Sequence, residues 1–250
     1  MLNNIKIIYE DENVLVVDKP AGLIVFPEGN IREKTLINYL IEKYPKLGDI
    51  GSPPRYGVVH RLDKDTSGIL LVAKTTESLI FLQKQFINRE VEKKYICLVE
   101  GNIKADSGEI KTLIGRSPSD FRKQVAIPEN QRSLPAGRQA ITEYRVVRRY
   151  SESPTSPRLR GVASSEFTLL EVKIKTGRKH QIRCHLSYIH HPIAGDKLYS
   201  FKNSPVPEGL TRQFLHAGYL KIKLPSGKIK EFKSELPEEL NNILKNLSLR

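Results

Sequence analysis

Short β-rich runs recur along this chain, and helical patterns fall between only some of them. Ile5–Tyr9 and Val14–Val17 flank Glu10-Asp-Glu-Asn13 and read as a hairpin. Pro20-Ala-Gly22 breaks the second run, and Leu23–Phe26 reads as a third. Further strands are predicted at Ile69–Ala73, Lys94–Glu100, Ile141–Arg148, Phe167–Lys175 and Gly218–Leu224, the last turning through Pro225-Ser-Gly227 into Lys228–Phe232. Thr35 is placed to cap a helix that runs to about Tyr44 and stops at Pro45. A second helix starts at Thr76, with Leu79, Leu82 and Phe86 on one face. A third begins after Thr176-Gly177, with Ile182, Leu186 and Ile189 at helical spacing, and Pro237–Leu247 reads as a terminal helix. Strands and helices do not alternate regularly enough for a doubly wound sheet, so the expected class is α+β with a largely antiparallel sheet. No repeat and no linker divides the chain, and residues 1–250 are expected to form a single domain. Two loose stretches, Pro128–Gln139 and Ser151–Ser165, read as surface loops; Arg132, Arg138, Arg158 and Arg160 in them either face a polyanion or belong to tolerated insertions.

Hydrophobic residues make up 39% of the chain, enough for a core, which excludes a mainly disordered protein. The longest clear apolar run is Ile69–Ala73, far short of a membrane span. The first residues lack a signal-peptide layout, and Cys97 and Cys184 make no disulfide framework, so a cytoplasmic, membrane-free protein is expected. The charge is uneven. Residues 1–60 carry 7 Lys/Arg against 8 Asp/Glu, residues 61–150 carry 17 against 11, and residues 151–250 carry 17 against 9. A positive excess confined to the last three quarters of the chain makes nucleic acid the first partner to consider.

Two constellations carry candidate chemistry. His60-Arg-Leu-Asp-Lys-Asp-Thr-Ser-Gly68 places ionisable groups at the mouth of a buried strand, where a scaffold fixes them. Asp63-Lys-Asp65-Thr66 superficially resembles an aspartyl-phosphate motif, but no buried strand directly precedes Asp63. His60-Arg61 hints at a kinase catalytic loop, yet no glycine-rich phosphate loop or Asp-Phe-Gly accompanies it. A plainer reading makes Asp63 or Asp65 the cap of a turn. The second constellation, Thr176-Gly-Arg-Lys-His-Gln-Ile-Arg-Cys-His185, sits at a strand-to-helix junction whose amides, with Arg178 and Lys179, are suited to an RNA phosphate. His180, His185, His190 and His191 fit no standard zinc spacing, and an amphipathic helix with one buried arginine accounts better for the pattern.

Taken together, His60-Arg-Leu-Asp63 with Thr66-Ser-Gly68, then Lys94-Tyr95, then Gly177-Arg-Lys-His-Gln-Ile-Arg183 resemble the three motifs of the RluA-type pseudouridine synthases. Asp18-Lys-Pro-Ala-Gly22, His191-Pro-Ile-Ala-Gly-Asp196 and Leu215-His-Ala217 are similar too, so the resemblance runs from about Ile7 to Phe232. It implies the pseudouridine synthase fold, a mixed, mainly antiparallel sheet with flanking helices and an RNA cleft. The implied reaction isomerises specific uridines in structured RNA, large-subunit rRNA first and tRNA second, with no cofactor and no metal. By the same resemblance Asp63 is the essential carboxylate, Arg183 its ion-pair partner, and Tyr95 the ring that stacks on the flipped uracil. Arg61 corresponds to the arginine that fills the vacated place in the RNA stack. His60, Lys64, Arg178 and His180 are phosphate or base contacts, and Asp65 is a turn residue. A monomer without an obligatory protein partner is expected, lacking the small N-terminal RNA-binding module of many relatives. Two rival classes are a non-catalytic RNA-binding protein of this fold and a metal-dependent hydrolase using Asp63 and Asp65.

Overall fold

A computed structural model of the chain describes residues 5–27, 29, 33–130, 137–152 and 165–249. They divide into two compact units. One takes the chain up to Lys93 and again from Ala217 to Glu235; the other takes Lys94–His216 and the chain from Leu236.

The first unit opens with the expected hairpin, β1 (Lys6–Glu10) and β2 (Val14–Lys19), paired antiparallel. Asp11 builds its turn, with Oδ1 accepting the Asn13 and Val14 amides at 2.8 Å each. β2 pairs with β3 (Ser67–Ala73), every residue of which is buried. β9 (Leu215–Lys223) lies beside β3 in the sheet order, and β10 (Ile229–Lys233) pairs with β9. The run Leu23–Phe26 is not a strand. Its carbonyls go instead to the start of helix α1 (Leu36–Lys43): the Leu36 amide donates to Ile24 at 2.8 Å and the Ile37 amide to Val25 at 3.0 Å. The first amides of a helix have no partner within it, and this segment supplies them. Helix α2 (Thr76–Ile87) is capped by Thr75, whose Oγ1 accepts the Ser78 amide at 3.1 Å. Gln85 fastens α2 to β9 as a strand residue would, donating to the Lys223 carbonyl at 2.8 Å and accepting its amide at 3.1 Å.

In the second unit five strands pair antiparallel in the order β4 (Glu92–Glu100), β8 (Glu166–Ile174), β7 (Arg138–Glu152), β5 (Ser107–Arg116) and β6 (Gln124–Ile127). β5 and β6 were not expected from the sequence, and β7 is longer than the predicted Ile141–Arg148. Of the two loose stretches, Arg138 and Ser151 belong to β7, while Arg132, Arg158 and Arg160 lie outside the described residues. Helix α3 (Gln181–Tyr188) starts later than predicted. The terminal helix α4 (Glu238–Lys245) ends before Leu247, and Leu247–Leu249 pair with β7 as β11. Among the described residues no helix is long and apolar enough to cross a membrane.

Candidate active site

The segment that carries Asp63 is anchored on the strand it leads into. The Ala73 amide donates to the Gly57 carbonyl at 2.8 Å, Val58 bridges Val72, and His60 Nε2 accepts the Leu71 amide at 3.0 Å. Gly57 is required there, since a Cβ would stand 2.2 Å from the Ala73 carbonyl oxygen. The chain then turns at Asp63, whose carbonyl accepts the Thr66 amide at 3.1 Å, and enters β3. From the other side the fully buried Lys19 donates to the carbonyls of Pro20, Leu23 and Lys64 at 2.8, 2.8 and 3.0 Å. Thus Asp18-Lys-Pro-Ala-Gly22, quoted above only as a similar stretch, clamps the Asp63 loop. Burying an ammonium is tolerable because carbonyl oxygens surround it.

His60, Arg61 and Lys64 each have a definite setting in this loop. The His60 ring stacks on Phe86 with centroids 4.9 Å apart. Desolvation, helped by the Lys93 charge, pushes its pKa down to about 3, so the ring is neutral. Because Nε2 accepts an amide proton, the imidazole proton sits on Nδ1. The Arg61 guanidinium lies over the Phe26 ring at 5.2 Å, and Arg55 meets the same ring at 5.0 Å. Burial lowers the Arg61 pKa and the Asp63 carboxylate opposes that shift, which places the two charges near one another. Lys64 is exposed, with its ammonium 3.2 Å from Glu33.

In the second unit Arg183 lies on α3 and is buried as expected, but the helix is not amphipathic, since Gln181 to Leu186 are all buried. Its guanidinium is held by Asp196, Nε to Oδ2 at 2.6 Å and Nη2 to Oδ1 at 2.9 Å. Asp196 also accepts the Leu198 and Tyr199 amides at 2.9 and 3.1 Å. Its own place is set by the chain before it: Ile193 bridges Val99, the Ala194 amide donates to Leu98 at 2.9 Å, and the Phe214 amide donates to Ala194 at 2.9 Å. Gly195 has φ +74°, and a Cβ there would meet the Arg212 carbonyl oxygen at 2.3 Å. The Arg183 guanidinium also lies 5.1 Å from the Tyr199 ring centre. Tyr199 in turn accepts the Gln124 amide at 2.7 Å, and burial raises its phenol pKa.

The rest of the third motif bolts α3 to the sheet. Gln181 Oε1 accepts from Thr176 Oγ1 at 2.8 Å and the Arg178 amide at 3.0 Å, while Nε2 donates to Ile141 and Thr142, both at 3.0 Å. One turn on, His185 is fully buried between Thr142 at 2.8 Å and Thr112 at 3.0 Å, and burial lowers its pKa to about 4. His180 holds the left-handed position before α3 at φ 54°, its Nδ1 3.1 Å from the Tyr199 hydroxyl. Arg178 Nε donates to the Gln139 carbonyl at 3.0 Å. The Arg178 amide, expected at the helix start as a phosphate ligand, is therefore taken up by Gln181. Tyr95 is buried on β4 opposite Val172 of β8. The sequence reading missed Asp196, Lys19, Gln181 and His185 as site-building residues.

Comparison with known proteins agrees with the motif reading. Residues 13–188 match the family model described as RNA pseudouridylate synthase. An uncharacterized RNA pseudouridine synthase of Aquifex aeolicus is 44% identical over 206 residues, covering 82% of this chain and 59% of that protein. The ribosomal large subunit pseudouridine synthase D of Nitrosomonas europaea is 39% identical over 247 residues, covering 96% of this chain and 64% of that protein. The chain thus spans less than two thirds of the length of either. Among solved structures, human RNA pseudouridylate synthase domain containing 1 superposes with a TM-score of 0.77 at 25% identity, covering 100% of this chain and 90% of that one.

Proposed function

The chain belongs to the RNA pseudouridylate synthase family, and on that premise we propose that it isomerises uridine to pseudouridine in structured RNA, with Asp63 as the essential carboxylate. The observation that supports this most is that the family match takes in Asp63, Tyr95 and Arg183 together, each in an anchored segment of its own unit. In the reaction the bond between N1 of uracil and C1′ of ribose breaks, the base turns, and C5 bonds to C1′. The C5 proton is then lost and N1 gains one, so no redox partner or group donor is consumed. A base stacked in folded RNA must first be flipped into a pocket.

Asp63 either attacks covalently or abstracts a ribose proton to give a glycal; both tasks need an ionised carboxylate. Arg183 is assigned as its counter-ion, a role compatible with the Asp196 clamp because a guanidinium has five donors and Asp196 engages two of its nitrogens. Tyr95 is assigned to stack on the flipped uracil and to assist loss of the ring proton. Arg61, a planar cation resting on Phe26, is assigned to occupy the vacated place in the RNA stack. His60, Lys64, Arg178 and His180 are assigned as RNA contacts, His60 through Nδ1. Large-subunit rRNA is the favoured substrate, supported by the name of the Nitrosomonas europaea relative, with tRNA second. A cytoplasmic monomer acting as a single catalytic domain completes the reading.

The test is chemical mapping of pseudouridine in rRNA and tRNA treated with purified protein. Wild type is expected to modify discrete uridines, and Asp63→Asn to modify none while keeping its fold and most of its RNA affinity. Asp65→Asn is expected to stay active. Substantial activity in the Asp63 variant, or loss only in the Asp65 variant, would refute the assignment.

A further inference from the structure

We propose that Lys93 is a phosphate-binding residue, gripping a backbone phosphate of the RNA beside the nucleotide on which Asp63 works. The inference rests on the functional reading above and adds a contact that the motifs did not single out. Lys93 is the second residue of β4 and lies within the first unit, and its ammonium stands 5.4 Å from the centre of the Phe86 ring on α2. Phe86 stacks on His60, which lies three residues before Asp63 and is pinned to β3 through the Leu71 amide. Lys93 is therefore part of the same packed corner as the Asp63 loop.

Among the described residues no carboxylate pairs with it. Three other lysines of the fold are paired: Lys94, its neighbour on β4, lies 3.8 Å from Glu171, Lys74 lies 2.7 Å from Glu10, and Lys221 lies 3.0 Å from Glu231. Among the described residues, α2 presents an aromatic ring to Lys93 and the loop a neutral imidazole, while the carboxylate of Glu92, its neighbour in the chain, acts on Tyr219. A half-buried ammonium set on a ring face, with no carboxylate paired to it among the described residues, is a site that an external anion completes. Burial accordingly pulls its pKa down to about 8. An ammonium offers three donors and no acceptor, which suits a phosphate oxygen, and RNA is the polyanion this fold is proposed to bind.

The experiment compares wild type, Lys93→Gln, Lys93→Arg and a control, Lys221→Gln, on a structured rRNA fragment that wild type binds, with pseudouridine formation mapped in parallel. Affinity is measured across a salt series. Lys93→Gln is expected to bind more weakly and to lose about one unit of the slope of log K against log salt. Lys93→Arg and Lys221→Gln are expected to keep the wild-type slope. A second readout is pH, which a merely structural lysine would not move. Between about pH 7 and about pH 9 wild-type affinity should fall roughly tenfold relative to Lys93→Arg, because only the lysine discharges there. The shared RNA cancels its own titration, His60 stays neutral throughout, and this comparison holds even if the glutamine variant fails to fold. An unchanged salt slope in folded Lys93→Gln, or parallel pH curves for wild type and Lys93→Arg, would overturn the proposal. A wild type that binds RNA with a Lys93-dependent slope yet forms no pseudouridine would overturn the activity and leave the phosphate contact standing.

Discussion

Replacing Asp196 with alanine removes the carboxylate that holds Arg183 on α3. That carboxylate has no exposed surface and takes the guanidinium at 2.6 and 2.9 Å and two backbone amides at 2.9 and 3.1 Å. Only 10% of the Arg183 side chain is exposed, so its desolvation persists when the bidentate partner is gone. Breaking a buried pair from one side costs about 3–5 kcal/mol, a large part of the ~5–15 kcal/mol that holds a typical domain together. With a urea dependence of about 2–3 kcal/mol per M, the midpoint should fall by roughly 1–2 M. Asp196→Asn keeps the volume and one acceptor oxygen and should lose less. Arg183→Met with Asp196→Leu removes both charges and should recover part of the loss, since an apolar pair carries no desolvation cost. Glu33→Gln, which breaks only the exposed Lys64 pair, should leave the midpoint unchanged. The assay is urea unfolding of the five proteins followed by circular dichroism. Equal midpoints for wild type and Asp196→Ala, or a double variant no more stable than Asp196→Ala, would refute the clamp.

His60 and His185 have pKa values lowered by burial to about 3 and about 4, against 6.5 when unfolded, so between those values the unfolded chain binds more protons. Their contribution to stability is complete above about pH 6.5 and is lost as the pH falls through that window; His185→Gln should flatten the fall, as read by urea midpoints at about pH 7.5 and about pH 5. Gly195→Ala forces a Cβ to 2.3 Å from the Arg212 carbonyl at φ +74° and should cost upwards of about 2 kcal/mol, measured by thermal unfolding. Arg61→Ala gives up a ring contact with Phe26 worth about 1 kcal/mol, yet should abolish most turnover on folded RNA; a stability loss as large as that of a core truncation would make Arg61 structural.

The α+β class and its antiparallel pairing are legible because β1, β2 and β3 carry apolar runs bounded by Asp11 and the glycine- and proline-rich breaks. β5 escapes the same reading. Its inward positions are Ile110, Thr112 and Ile114, and Gly108 and Gly115 interrupt the run. Thr112 counts as polar in any hydropathy pattern, but its hydroxyl is spent on His185, so it behaves as a core residue. Leu23–Phe26 fails in the opposite sense. Its side chains have strand composition, but the carbonyls are claimed by α1 and by Lys19, and no strand partner can use them.

At the site, residue type shows where chemistry is concentrated but leaves open which groups build the site and which act. Asp196 lies 13 residues from its partner, in a loop with no periodicity, and the long-range bonds of Ile193 and Ala194 to Val99, Leu98 and Phe214 bring it to Arg183. The histidines of the third motif and beyond fit no standard zinc spacing, and the structure shows where three of them are bound instead. His185 spends both nitrogens on threonines, His180 Nδ1 meets Tyr199, and His191 Nδ1 meets the Glu100 carbonyl. Such bonds fix an element in place, which is why a helix carrying Gln181, Arg183 and His185 can be buried on nearly every side. Lys93 and Lys94 show the converse. The motif draws attention to Lys94, beside Tyr95, yet Lys94 already faces Glu171. Lys93 has a ring face in place of a carboxylate, a difference that two adjacent lysines cannot express in sequence and that strand alternation decides.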